Sequence, residues 1–200
     1  MKKVLLRAPV LTMSGYGVHS RQILRYLLQK PNIELSVQNI PWGHTPWNVR
    51  SDDENGLIGE VLNRSVDDSK KDYDVSIQVQ LPNEWDPSFA KFNVGVTAAV
   101  ETDKCNPMWT SVHCEKMDMV IVPSKHTKNS LVNSAVTNTP VHVVPESYYD
   151  EILREGHDLQ LPLETSFNFL TVGVLTGNNP NTDRKNLFYL IKWFVEEFKD

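Results

Sequence analysis

Apolar residues in this chain fall into short runs, and their spacing alternates between strand-like and helical. Lys3 to Val10 is a short apolar run that ends in turn-forming residues, the pattern of a buried strand. Beyond Gly15-Tyr16-Gly17, residues Ile23, Leu24, Leu27 and Leu28 recur at helical spacing on one face. Pro31 stops that helix, and Ile33 to Ile40 predicts a second strand. This β-loop-α-β order opens a parallel sheet. Pro41 to Asp53 is irregular, with two prolines and two tryptophans. Leu57, Ile58, Val61 and Leu62 then predict a short helix. Val75 to Val79 and Phe92 to Val100 predict the third and fourth strands. Pro107 suits the first position of a helix whose buried side would be Trp109, Val112 and Met117. Met119 to Val122 predicts a fifth strand, Ser124 caps a helix to about Val132, and Val141 to Val144 predicts a sixth strand closed by Pro145.

The remainder reads differently. Ser147 to Ser166 is polar, with a weakly helical patch, and has the character of a linker. Phe167 to Val174 predicts another strand. Leu187, Leu190, Ile191, Phe194, Val195 and Phe198 form the clearest amphipathic stripe in the chain. One strand and one strongly apolar helix cannot form a core alone. The expectation is therefore a Rossmann-like domain over 1–146, a linker over 147–166, and the first strand and helix of an incomplete second domain over 167–200. The fold class expected is α/β, a parallel sheet with helices on both faces. The apolar last helix would favour association.

Composition narrows the function. The 200 residues carry a net charge of -5, which argues against a nucleic-acid partner because phosphate contacts need a basic face. No apolar run approaches the length of a transmembrane segment, and the start of the chain lacks a signal-peptide core. Cys105 and Cys114 imply no disulfide framework, and a reducing cytoplasm is the default expectation. No CxxC or HxxxH cluster predicts a metal site.

Three segments carry candidate chemistry. Gly15, Tyr16 and Gly17 lie between a predicted strand and a helix, where backbone amides and the helix dipole suit a phosphate. A nicotinamide fingerprint would also need an acid at the end of the second strand, but Asn39 stands there and Glu34 lies near its start. A tight turn without ligand remains the bland alternative. Glu101-Thr102-Asp103 follows the fourth strand, where ligands of open α/β sheets bind and where a carboxylate can accept from sugar hydroxyls. The same acids could merely favour the start of the Pro107 helix. Arg184 and Lys185 precede the last helix. Two cations at a helix start oppose its dipole unless an anion binds, although a solvated surface pair has the same sequence. His19, beside the glycine turn, is the histidine best placed for function, whereas His113 reads as structural. Trp42, Trp47 and Trp85 lie in loops; they could stack on sugars or cover the core.

Together these segments resemble glycosyltransferase family 4. Glu101-Thr102-Asp103, Pro107 and Trp109 resemble an E-T-D-x-x-P-x-x-W segment, with the proline one residue later here. Asp118 through Val120, Val122, Pro123 and Ser124 fits D-x-V-x-V-P-S, and Val141 to Pro145 fits V-x-V-V-P. Gly15-Tyr16-Gly17 fits that family's glycine loop. The region from Phe169 to Asn186 resembles the opening of its second domain. The resemblance implies the two-domain GT-B fold and retaining transfer of a sugar from a nucleotide-sugar donor to a carbohydrate or lipid-linked acceptor. The nucleotide-sugar would be substrate, and neither a cofactor nor a metal is expected. It implies donor-phosphate contacts from Gly15, Tyr16, Gly17, Arg184 and Lys185, and acceptor-side contacts from His19, Glu101 and Thr102. Three features depart from the family pattern. Gln78-Val79-Gln80 stands where many members carry a histidine, Val144-Pro145-Glu146-Ser147 stands where members commonly have a glycine after the acid or histidine, and the E-x7-E segment of the second domain lies beyond the sequence in hand. A non-catalytic module holding a glycan or sugar phosphate is the alternative of a different class.

Overall fold

A computed structural model describes residues 1–67, 72–149, 161–173, 175, 179–183 and 185–199. The chain divides into two units, Met1–Arg154 and Glu155–Asp200.

The first unit is built on an all-parallel, six-stranded sheet. Its strands are β1 (Lys2–Ala8), β2 (Ile33–Asn39), β3 (Tyr73–Val79), β4 (Ala90–Val96), β5 (Met119–Val122) and β6 (Val141–Val143). They lie in the order β2-β1-β3-β4-β5-β6. All six predicted strands of this unit are present, with ends shifted by a few residues. The largest shift is in β4, which stops at Val96 rather than Val100. Thr97 makes one more backbone bond, to the Ile121 carbonyl, before the chain turns away.

Strand alternation sorts the side chains onto two faces. On one face Leu6, Val37, Val94 and Val96 pack with Leu24 and Leu27 of α1 (Gly15–Leu28) and with Ile58 and Val61 of α2 (Leu57–Asn63). On the other, Val120 and Val122 pack with Trp85, Met117 and Leu131 of α3 (Lys125–Val132). Helices therefore cover both faces, as a parallel sheet requires.

The β3–β4 connection covers its part of the sheet without an α-helix, with a single 3-10 turn at Pro82–Glu84. Polar side chains hold it there. Gln78 donates to the Asp86 carbonyl at 2.7 Å and accepts the Asp86 amide at 2.9 Å. The Trp85 indole donates to the Gln78 carbonyl at 3.1 Å. Asn93 donates to the carbonyls of Pro87 and Ala90, and Ser76 donates to Asn93 at 2.7 Å. The side-chain amides of Gln78 and Asn93 thus meet the partners their burial demands. Trp85 is 4% exposed and lies over Gly95, where a Cβ would come within 2.6 Å of the ring. Of the three loop tryptophans, this one is core.

The segment after Pro107 departs from the predicted face. A π-helical turn spans Trp109–His113, closed by the Cys114 amide on the Trp109 carbonyl, and a 3-10 turn follows over Cys114–Lys116. A π turn inserts a residue and rotates the helix face. The buried positions are therefore Thr110, Cys114 and Met117, whereas Val112 is exposed and Trp109 half-buried. Thr110 Oγ1 fixes that rotation by donating to the Leu131 carbonyl at 2.9 Å.

In the second unit, α4 spans Leu187–Glu197 as its stripe predicted. The predicted strand Phe167–Val174 is not formed at the described residues 167–173. A strand needs a neighbour for its backbone groups, and the described residues of this unit contain no other strand. Phe169 instead meets Phe194 and Phe198 edge-on or tilted, at 5.1 and 5.6 Å between centroids. Val174 and residues 150–160 of the predicted linker lie outside the described residues.

Candidate functional site

The sheet order reverses direction between β1 and β3, and the carboxyl ends of the strands there form the rim where open α/β folds take ligands. α1 begins on this rim. Ser14 caps it by accepting the Gly17 amide at 3.0 Å, and Val18 bonds to the Ser14 carbonyl. Among the described residues, the Gly15 and Tyr16 amides remain without a protein partner, as a helix start leaves them.

The two glycines differ. Gly15 is exposed, and a Cβ there would meet nothing within 4 Å. Gly17 is buried, and a Cβ there would lie 2.0 Å from the Thr12 carbonyl oxygen. Gly15 is the glycine open to a ligand; Gly17 lets α1 pack on the loop after β1.

Tyr16 joins this helix start to the end of β4. Its hydroxyl lies 3.3 Å from Thr97 Oγ1 and accepts the Ala98 amide at 2.9 Å. Burial raises its pKa, so the phenol stays protonated at neutral pH. Trp42 stacks on its ring at 3.8 Å and 20°. Next along the β4 loop, Ala99 adopts φ +50, an uncommon value for a residue with a Cβ.

His19, Thr97, Ala98, Pro123 and Glu146 line a notch beside Tyr16 with a volume of about 10 Å³. That is about the room one water needs, too little for a ligand ring. Gln22 holds the segment carrying Glu146 by donating to the Ser147 carbonyl at 2.7 Å. His19 Nδ1 is buried without a hydrogen-bond partner among the described residues. His19 and Val96 also line a larger apolar groove, about 460 Å³, between α1 and the β3–β5 side chains.

Thus Gly15, Tyr16, Gly17 and His19 share one helix start. Glu101 and Thr102 lie further along the β4 loop and are exposed. The Glu101 carbonyl meets His126 Nε2 at 3.2 Å, and the Thr102 hydroxyl donates to the Lys104 carbonyl at 2.7 Å. At the Pro107 turn, Asn106 Oδ1 takes the Met108 amide at 3.0 Å. Asp118 ties β5 to β4 by accepting the Asn93 amide at 2.7 Å.

Arg184 lies outside the described residues. Lys185 is exposed, and its amide donates to Asp183 Oδ1 at 3.2 Å. The other Asp183 oxygen accepts the Leu187 amide at 2.7 Å. A carboxylate already occupies these amides at the start of α4 and supplies the negative charge that the helix dipole favours. The anion inferred from two adjacent cations has, in part, an internal source.

Sequence reasoning did not select Thr97, Ala98 or Glu146 as site residues. Thr97 and Ala98 follow a predicted parallel strand, a position with functional meaning in this architecture. Placing β4 four residues too long hid that signal. At β2, Asn39 ends the strand and donates to Ser65 Oγ at 2.8 Å, so the ribose-binding position of a nicotinamide site carries no acid.

Among the described residues, no group of three His, Cys, Asp or Glu could hold a metal ion, and no helix is long and apolar enough to cross a membrane. The fold defines a Rossmann-like, all-parallel α/β unit. Comparison with protein-family models, curated proteins and solved structures gives no match that would name a family.

Proposed function

We propose that this protein takes part in retaining glycosyl transfer from a nucleotide-sugar donor to a carbohydrate or lipid-linked acceptor. One observation carries the reading: a helix start whose Gly15 and Tyr16 amides meet no protein partner among the described residues, with Gly15 open to solvent, stands where the sheet order reverses. The Gly15 and Tyr16 amides would approach the donor diphosphate or the transferred sugar. His19, with the Glu101-Thr102 loop, would serve the acceptor side. Arg184 and Lys185 would neutralise the leaving diphosphate where its charge develops. Such chemistry relies on fixed donors and cations rather than a nucleophilic side chain. The motifs from Glu101 to Ser124 give the resemblance that selects glycosyl transfer among the ligand chemistries such a rim accepts.

The test is calorimetric titration with uridine and guanosine diphosphate sugars, followed by assay for sugar release or transfer. Donor affinity should fall about tenfold in Gly15→Val, whose side chain fills the approach to the amides. Product anomers are then read by NMR. Full donor affinity in the variant, or inverted product, refutes the proposal. Glycan binding with no response to nucleotide supports a non-catalytic module instead.

A further inference from the structure

Among the described residues, Trp42 is the one loop tryptophan whose ring lies on another aromatic ring. Trp85 is core. Trp47 is 43% exposed, and among the described residues its ring has no aromatic neighbour. Trp42 is different, because it lies flat on Tyr16 at the rim, with 3.8 Å between centroids.

That seat is fixed on both sides. The Tyr16 hydroxyl is held by Thr97 Oγ1 and the Ala98 amide. The loop carrying Trp42 is tied to the loop after β1 by Met13 N–H to the Pro46 carbonyl at 3.0 Å and Asn48 N–H to the Leu11 carbonyl at 2.7 Å. A turn closes behind the indole, with Thr45 N–H on the Trp42 carbonyl at 3.1 Å and Gly43 at φ +53. Trp42 is only half-buried, so part of the ring stays in solvent. A rigid aromatic surface loses little conformational entropy when a ligand settles on it.

The chemistry of the surroundings selects the ligand. An aromatic face carries negative π density, and the C–H faces of a pyranose carry weak positive charge. Sugar hydroxyls project from the ring edge and need polar partners there. Beside Tyr16 the notch supplies the Glu146 carboxylate, and His19 Nδ1 lacks a partner among the described residues. We propose that Trp42, seated on Tyr16, is the stacking platform for a pyranose ring of the carbohydrate this site takes. The inference rests on reading the β1–β3 rim as the sugar site.

The experiment titrates the whole chain with maltotetraose, cellotetraose and chitotetraose, without nucleotide, following heat and tryptophan emission. At least one tetraose should bind. Trp42→Ala should weaken it about tenfold, Trp42→Phe should keep most of the affinity, and Trp193→Ala should leave it unchanged. Trp193 is 55% exposed, so it controls for casual stacking on any exposed indole. Thermal melts confirm that each variant is folded. The proposal is overturned if no tetraose binds, if Trp42→Ala binds like the parent, if Trp193→Ala is equally weakened, or if only free uridine or guanosine quenches Trp42. The transferase reading fails separately: tetraose binding with no sugar transfer once uridine or guanosine diphosphate sugars are added sinks that reading and leaves the platform standing.

Discussion

Gly15 and Gly17 look equivalent in the sequence, and the structure predicts opposite responses to alanine. At Gly17 the new Cβ would lie 2.0 Å from the Thr12 oxygen and 2.8 Å from Thr12 Oγ1. An ordinary carbon–oxygen contact is about 3.3 Å, so one partner must move by about 1.3 Å. The carbonyl cannot move freely. Thr12 is fully buried, its amide and hydroxyl both bond to the Pro9 carbonyl, and its own carbonyl accepts from Arg21 Nη1 at 3.0 Å. Arg21 in turn pairs with Glu54 at 2.6 Å. Overpacking costs about 1–3 kcal/mol and a lost charged hydrogen bond about 1.5–3, while alanine returns about 1 in helix propensity. The net cost for Gly17→Ala is about 3 kcal/mol.

In a unit of this size that cost lowers Tm by about 6–12 °C. Gly15→Ala should stay within about 0.5 kcal/mol of the parent, because its Cβ meets nothing. Thermal and urea unfolding followed by far-UV circular dichroism measures both. Equal melting of the two variants, or a Gly17→Ala protein as stable as the parent, would refute the assignment of Gly17 to packing.

Other outcomes follow from single groups. Glu54→Ala should cost about 3 kcal/mol in urea unfolding, because it strips the Arg21 guanidinium, whose side chain is 8% exposed, of its carboxylate. Burial pushes the Cys114 thiol up to about 12, so iodoacetamide at about pH 8 should leave Cys114 unlabelled until the protein unfolds. Hydrogen bonds from Thr137 and the Asn138 amide hold the Glu115 carboxyl below its ordinary 4.5. Its stabilisation is therefore full above that value and lost as pH falls through the lowered one; Glu115→Gln should flatten the acid limb of a urea-midpoint titration.

What the sequence could show follows from which interactions are local. Strand runs and the stripes of α1 and α4 are written in nearest-neighbour spacing, and all of them formed where a partner element exists. Phe167 to Val174 has the same local pattern but no described neighbour strand, so pattern alone did not make a strand there. The face after Pro107 was misread because a π turn is set by long-range bonds, such as Thr110 to Leu131, which periodicity does not encode. The candidate site divides along the same line. Glycines at a strand-to-helix junction are legible, since the junction is local. Which of them meets a neighbour is decided by Thr12, held by Pro9 and Arg21 from different parts of the fold. Trp42 and Trp85 are likewise indistinguishable in sequence. Gly95 on β4 leaves the space that takes one into the core, and Tyr16 on α1 presents the other at the rim. Residues that match a motif can therefore meet a ligand only when residues outside the motif leave them open, as Gly15 is left open and Gly17 is not.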